Sequence, residues 1–311
     1  MSRILKTVNL KGFGEKHSGK VRDFYIVEGQ RRILITTDRI SAFDVILGHI
    51  PYKGAVLNLL AQFWFEKTKD IIPNHMISVP DPNVTIGKNA TPIPIEMVVR
   101  GYISGITNTS IWGSYQAGER VIYGIKFPQG LQKNQKLSKP VITPTTKAES
   151  GHDQRLTEED ILQKRVVSPK IWKQMKLAAL GLFERGTKIC KKAGIILVDT
   201  KYEFGLDNKG KLILIDEIHT PDSSRFWVKR TYQDRFKKGL EPENFDKEFL
   251  RLWYARRGYK GDGRLPKMPS SLQKAVSERY ITIYEKITGK KFQAGEYPIE
   301  KRIKENLKNI V

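Results

Sequence analysis

Residues 195–218 hold the densest chemistry in the chain. Two apolar runs, 195–204 and 212–218, flank Asp207-Asn208-Lys209-Gly210, a turn sequence that predicts a β-hairpin. Side chains alternate faces along a strand, so Asp199, Lys201 and Glu203 share one face. If Leu206 and Lys211 close the turn, Lys201 lies opposite Asp216 and Glu203 is diagonal to it, about 5–8 Å away. Two carboxylates and an ammonium on an otherwise apolar hairpin are costly to bury unless they pair or bind a cation. Carboxylates at this separation suit Mg²⁺, which takes one or two of them plus phosphate oxygens. The plainer alternative is a solvated strand face carrying a Lys–Glu pair. The run that follows, from Asp216 and Glu217 through His219, Thr220, Asp222, Ser223 and Ser224 to Arg225, is a polar loop able to ligate metal, bind phosphate or hold a hydroxylated sugar. His219 by itself reads as a structural histidine.

Four further strings are polar and follow or precede strand-like runs. His17-Ser18-Gly19-Lys20-Val21-Arg22-Asp23 is a small glycine turn with a lysine, suited to nucleotide phosphates or simply exposed. It lacks the spacing of a Walker loop and is closer to the glycine-rich hairpin of kinases. Thr37-Asp38-Arg39-Ile40-Ser41 follows a strand. In the run 98–105, Arg100 ends a strand and Ser104 sits among small residues, a fit for a monophosphate or an ordinary strand cap. The run 145–153 is dense in polar groups; its His152–Asp153 pair is a base, a metal contact or a loop hydrogen bond. No serine elbow, zinc spacing or dinucleotide fingerprint occurs, so a covalent nucleophile is not indicated.

The elements that must position these groups are legible in outline. Runs 21–27 and 32–36 read as strands joined by a turn at 28–30, 55–67 carries a helical stripe, and 93–102 reads as a strand. Residues 103–156, rich in Gly, Ser, Thr and Pro, read as long loops. Thr157 starts one helix, and Ser168-Pro169 starts another that runs to Lys192 and stops at Gly194. Beyond about residue 230, helices are expected near 242–257, 270–288 and 298–310, the middle one capped by Ser270 and ended by Gly289. Strands first and helices last predict an α+β fold, with a β-rich lobe over 1–95, a larger α+β lobe over 96–235 and a helical region over 236–311.

Composition narrows the function classes. The 311 residues carry 39% hydrophobic side chains, enough for a core, and no apolar run long enough to span a membrane. The N-terminus lacks a secretory signal, and Cys190 stands alone, so a reduced thiol and a cytoplasmic location are expected. With 55 Lys plus Arg against 33 Asp plus Glu, the net charge is +22. The basic residues are scattered in pairs, with no zinc-finger spacing and no aromatic RNA-binding signature. Anionic small molecules are therefore the expected ligands and a specific nucleic acid is not.

Taken in order, GKVRDFY at 19–25, TDRISAFD at 37–44, VVRGYISG at 98–105, TKAESGHD at 146–153, LVDTKYEFG at 197–205 and IDEIHTPDSSRFW at 215–227 resemble the SAICAR synthetase family of purine biosynthesis, in its longer single-chain form. The resemblance implies a two-lobed, kinase-like or ATP-grasp-like fold with ATP between the lobes. It implies a carbon–nitrogen ligase in which ATP phosphorylates the carboxylate of carboxyaminoimidazole ribonucleotide (CAIR) and the amine of L-aspartate displaces the phosphate. It implies Lys201, Glu203 and Asp216 as catalytic residues, with Glu203 and Asp216 on Mg²⁺. Ser18, Gly19, Lys20, Arg22, Glu96 and Lys201 are implied for ATP. Asp38, Ser41, Arg100, Ser104, His152, Asp153, Asp222 and Arg225 are implied for the other substrates. A monomer is the expected state. An ATP-dependent kinase or other ligase on the same scaffold is the competing reading.

Overall fold

The computed structural model describes residues 4–27, 31–105, 110–147 and 154–308. The expected turn at 28–30 and the His152–Asp153 pair lie outside them.

The first half builds one antiparallel sheet. Strands β1 (Lys16–Ser18), β2 (Arg22–Val27) and β3 (Arg31–Thr36) come first. A two-stranded ribbon, β4 (Arg39–Ala42) and β5 (Val45–His49), and helix α1 (Lys53–Thr68) follow. Strands β6 (Met76–Asp81) and β7 (Val84–Lys88) then complete the order β1-β2-β3-β7-β6. Phe43 and Asp44, both at positive φ, make the two-residue turn between β4 and β5, the geometry that matches strand twist. Helix α1 sits close under this sheet because Gly54 has no Cβ; one there would meet the Thr36 carbonyl oxygen at 2.2 Å.

The second sheet carries the polar hairpin. Strand β8 (Thr91–Tyr102) leads into α2 (Ile111–Gln116), β9 (Val121–Ile122), β10 (Ile125–Lys126) and β11 (Lys136–Thr146). Helices α3 (Glu158–Gln163) and α4 (Pro169–Lys192) precede β12 (Ile195–Leu206), β13 (Leu212–Ile215) and β14 (Ser224–Val228). The order is β11-β8-β12-β13, with β14 pairing the first part of β12. Segment 103–156 is thus not all loop. Its long strand β11 contains Pro140 and Pro144, which obscure a strand pattern but are tolerated at a sheet edge. Helix α2 is short and contains Gly113. Thr157 and Ser168 cap α3 and α4 as expected, Thr157 with a reciprocal capping box to Asp160.

Helices α5 (Lys229–Lys237), α6 (Glu248–Ala255), α7 (Ser270–Thr288) and α8 (Ile299–Leu307) close the chain. Residues 242–247 are not helical, α5 falls in the helical stretch expected beyond about residue 230 but outside its three named segments, and α7 is capped by Pro269, with Ser270 its first residue and Gly289 at positive φ ending it. The largest apolar core joins α1, α4, α7 and the inner face of the second sheet. A second core lies under the first sheet, where Ile299, Ile303 and Leu307 of α8 meet Val8, Tyr25, Ile33 and Ile35. The two sheets are tied by backbone hydrogen bonds from Leu214 to Pro73 and from His75 to Leu214.

Candidate active site

The polar face of the second sheet forms the floor of a cleft of about 1000 Å³, with the Gly19–Arg22 turn and the 216–225 loop as its walls. A smaller hollow of about 390 Å³ lies beside the Asp207–Lys211 turn and holds no convergent acids.

The floor is set by strand register. Glu96 of β8 lies opposite Glu203 of β12, and Lys201 stands beside both. Its ammonium is 2.5 Å from Glu96 Oε1 and 2.6 Å from Glu203 Oε1, and Lys147 holds the other oxygen of Glu203. Burial opposes the charge on Lys201, but Glu203, Glu96 and Asp216 outweigh it and hold the ammonium well above the ordinary lysine range. Burial likewise pushes the Glu203 carboxyl up, and Lys201 with Lys147 overcomes this and holds it below the usual range. Both groups are charged at neutral pH.

Further along the same face, Asp199 lies in register with Arg100 on one side and Arg225 on the other. Its Oδ2 accepts from Arg225 Nη1 at 2.6 Å and from Arg100 Nη1 at 3.2 Å, while Arg100 Nε donates to Thr143 Oγ1 at 2.8 Å. Two guanidiniums share this carboxylate, and Glu248, itself shared with Arg251, approaches Arg225 Nε at 3.6 Å; the three arginines against two carboxylates leave positive charge for an anion.

The walls carry the rest. Strand β13 stops at Ile215, and Asp216 turns the chain at positive φ. The register is one residue away from the expected one: Leu206 pairs with Leu212, and Asp207 Oδ1 captures the amides of Lys209 and Lys211, lengthening the turn. Asp216 is therefore not opposite Lys201. It pairs instead with Arg22 of β2, Nη1 to Oδ1 at 2.5 Å, while Arg22 Nη2 reaches Glu217 Oε2 at 2.5 Å. This fork ties the two sheets across the cleft. Lys20 faces the cleft on the exposed turn and bonds Asp44 Oδ1 at 2.7 Å.

Gly19, Lys20, Arg22, Ser41, Glu96, Arg100, Lys201, Glu203, Asp216, Asp222 and Arg225 all line this one cleft. Three expected residues do not. Ser18 is exposed at the end of β1. Ser104 is buried and donates to Asn134 Oδ1 at 2.8 Å. Asp38 is 1% exposed, and its carboxylate accepts from the Leu5 and Gly54 amides at 2.7 and 2.8 Å. Burial pushes the Asp38 carboxyl up to about 6 despite those bonds, and its place is the anchor of the N-terminal segment and α1, not a substrate contact. Asp222 reaches the cleft, yet both its oxygens are engaged by the protein: Lys53 of α1 at 2.9 Å and the Tyr280 hydroxyl of α7 at 2.7 Å. His219 lies beneath the site, fully buried, with Nε2 2.6 Å from the Tyr202 hydroxyl. Lys147, Lys247 and Arg251 also line the cleft without having been singled out, as does Glu217, which the polar loop already included without a role of its own. Lys147 stood inside a quoted string; Lys247 and Arg251 lie beyond all of them, where no local pattern marks a cleft.

The SAICAR synthetase family model matches residues 15–267. A Legionella pneumophila (strain Lens) protein named phosphoribosylaminoimidazole-succinocarboxamide synthase is 51% identical over 301 residues, 96% of each chain. A Bacteroides thetaiotaomicron protein of the same name is 44% identical over 317 residues, covering 100% of this chain and 99% of its own. Among solved structures, the SAICAR synthase of Saccharomyces cerevisiae complexed with SAICAR superposes with a TM-score of 0.78 at 32% identity, covering 93% of this chain and 99% of that one. A SAICAR synthetase (Type-2) in complex with ADP gives a TM-score of 0.69 at 26% identity, over 90% of this chain and 100% of that one. The sequence strings, the α+β cleft and these matches agree: the chain belongs to the SAICAR synthetase family.

Proposed function

We propose that the chain is an ATP-dependent carbon–nitrogen ligase that condenses CAIR with L-aspartate to give SAICAR, ADP and phosphate in purine biosynthesis. The observation that carries this reading is the charged row on one sheet face, Glu96–Lys201–Glu203 followed by Arg100–Asp199–Arg225, facing the Arg22–Asp216 fork across the cleft. One end offers charge control for a phosphoryl group and the other a paired-arginine anchor for a ribonucleotide phosphate.

The CAIR carboxylate attacks the γ-phosphorus of ATP, ADP leaves, and an acyl phosphate forms. The neutral amine of aspartate then attacks that acyl carbon, and phosphate departs with the C–O bond electrons. The amine nitrogen loses its proton to solvent. Lys201 remains an ammonium throughout, so its part is to neutralise charge on the migrating phosphoryl group, not to accept a proton. Positioning and preorganised charge supply the rate, because an acyl phosphate is already activated.

Glu203 and Asp216 both present carboxylate oxygens to the cleft, the donor type a hard cation takes; among the described residues Asp216 Oδ2 accepts no hydrogen bond, whereas Lys201 and Lys147 hold both oxygens of Glu203 and a cation there would displace one of them. These two residues would hold Mg²⁺, with phosphate oxygens completing its sphere; when bound, it offsets the negative charge of the phosphates during transfer. The Gly19–Lys20 turn borders the nucleotide side of the cleft in this reading, and Ser41 the side of the other substrates. No described helix is long and apolar enough to cross a membrane, and a cytoplasmic monomer is part of the proposal. The test is ADP release with Mg-ATP and CAIR, with and without L-aspartate. Aspartate-dependent ADP release with matching SAICAR formation is expected. Turnover indifferent to aspartate would assign another acceptor.

A further inference from the structure

The cations nearest the reaction centre already have carboxylate partners: Arg22 with Asp216 and Glu217, Lys201 with Glu96 and Glu203, and Arg100 and Arg225 with Asp199. Lys247, just before α6, is different. It lines the same cleft beside the 221–225 loop, and among the described residues its ammonium has no hydrogen bond or ion pair within 4.0 Å. The largest attraction it feels comes from Asp222, but that carboxylate is already paired with Lys53 and Tyr280. Burial pulls the Lys247 ammonium down to about 8, Arg251 and Lys53 add repulsion, and Asp222 and Glu217 only partly oppose this. An ammonium kept charged at a cost in a substrate cleft is one that a bound anion relieves.

We propose that Lys247, assisted by Arg251 one helical turn on, binds a carboxylate of the amine substrate, L-aspartate. This rests on the ligase reading above. Arg251 lines the cleft too, its amide bonds to the Lys247 carbonyl at 3.0 Å, and the i, i+4 spacing puts both side chains on one face. Arg251 is only partly engaged, by Glu248 at 3.2 Å. The ligand class follows from the surroundings. Glu217, Asp222 and Glu248 crowd these two cations, which disfavours a dianionic phosphate and suits a single carboxylate. The same acids favour the cationic end of an amino acid as it docks. Arg100 with Arg225 remains the better phosphate anchor: Glu248 also approaches Arg225, at 3.6 Å, but two guanidinium forks on the cleft floor match a phosphate's oxygens as a lone ammonium does not.

The test is a steady-state comparison of wild type, Lys247→Met, Lys247→Gln and Lys247→Arg, varying each substrate in turn, with thermal melting as the control for folding. Loss of a charge-assisted contact predicts a rise in the aspartate KM of at least about tenfold in the Met and Gln variants, with the CAIR and ATP values within about twofold and most of the loss recovered by Arg. Competitive inhibition by succinate, a dicarboxylate lacking the amine, weakens in parallel. An aspartate KM and succinate inhibition unchanged in any folded variant overturn the proposal, as does a rise confined to CAIR, which would move Lys247 to the phosphate. If wild type shows no aspartate-dependent ADP release, the ligase reading fails instead.

Discussion

At the scale of single residues, the site is a set of charges fixed by one another. Asp216 is the member whose removal separates charge control from folding. It is part-exposed, at a chain turn, and Arg22 keeps Glu217 as a second partner if Asp216 is neutralised. Asp216→Asn is therefore expected to lower kcat by at least about 100-fold, with the melting temperature close to wild type. Near-normal turnover in that variant would remove Asp216 from the phosphoryl-transfer site. His219 gives the opposite case, a polar residue whose role is in the fold. Burial drives its imidazole down to about 3, so the folded state holds it neutral where the unfolded chain protonates near the ordinary value. Its depressed pKa makes a stability contribution that is present above about pH 6.5 and is lost as pH falls toward 3. Relative to His219→Gln, wild type should lose about 1.4 kcal/mol of unfolding free energy per pH unit from pH 6.5 downward. Urea unfolding of both proteins at pH 7.5 and 5.5 measures this, and a pH-independent difference would show that folding does not shift the His219 pKa.

At the scale of elements, what could be read from the chain was what local periodicity controls. The shared face of Asp199, Lys201 and Glu203 follows from strand alternation alone, and so it appears in the fold. The position of Asp216 depended on the turn, and the Asp207 side chain lengthened that turn through two amide contacts that spacing does not reveal. Asp38 looked like a site residue because it stands in a polar string; its real partners, Leu5 and Gly54, come from other segments. Helix α1 read as an amphipathic stripe, yet α7 covers its other side and Lys53 in its first turn is fully buried. That lysine meets Asp222 at 2.9 Å, and Tyr280 completes the clamp, so α1 and α7 together hold the 219–225 loop in place. Removing one partner of a buried pair leaves the other charge uncompensated. Lys53→Met should cost about 3–5 kcal/mol of stability, and adding Asp222→Asn should recover a good part of it. A double variant as unstable as the single one would show that Lys53 acts through packing and not through the pair.

At the scale of the whole molecule, the last helix closes on the first strands. Arg302 of α8 binds Asp81 at 2.8 and 3.0 Å and Asn83 at 2.7 Å, and the apolar side of α8 completes the core that begins at Leu5. Its helical pattern was legible, but its docking place was not, because the partners lie more than 200 residues away. The net charge of +22 is likewise a property of the whole chain, and it bears on how substrates arrive. ATP, CAIR and aspartate are all anions, and the cleft proposed to receive them is lined by at least Lys20, Arg100, Lys147 and Arg225. A field of this sign speeds encounter with anions and is screened by salt, the Debye length shrinking from about 10 Å at 0.1 M to about 3 Å at 1 M. Raising KCl across that range should therefore lower kcat/KM for CAIR severalfold while kcat, set after binding, changes little. The same titration with duplex DNA in place of CAIR separates steering from nucleic-acid binding. A salt-steep, high-affinity shift of the DNA would give the positive surface a second ligand, and a salt-independent kcat/KM would confine the electrostatics to the paired groups inside the cleft.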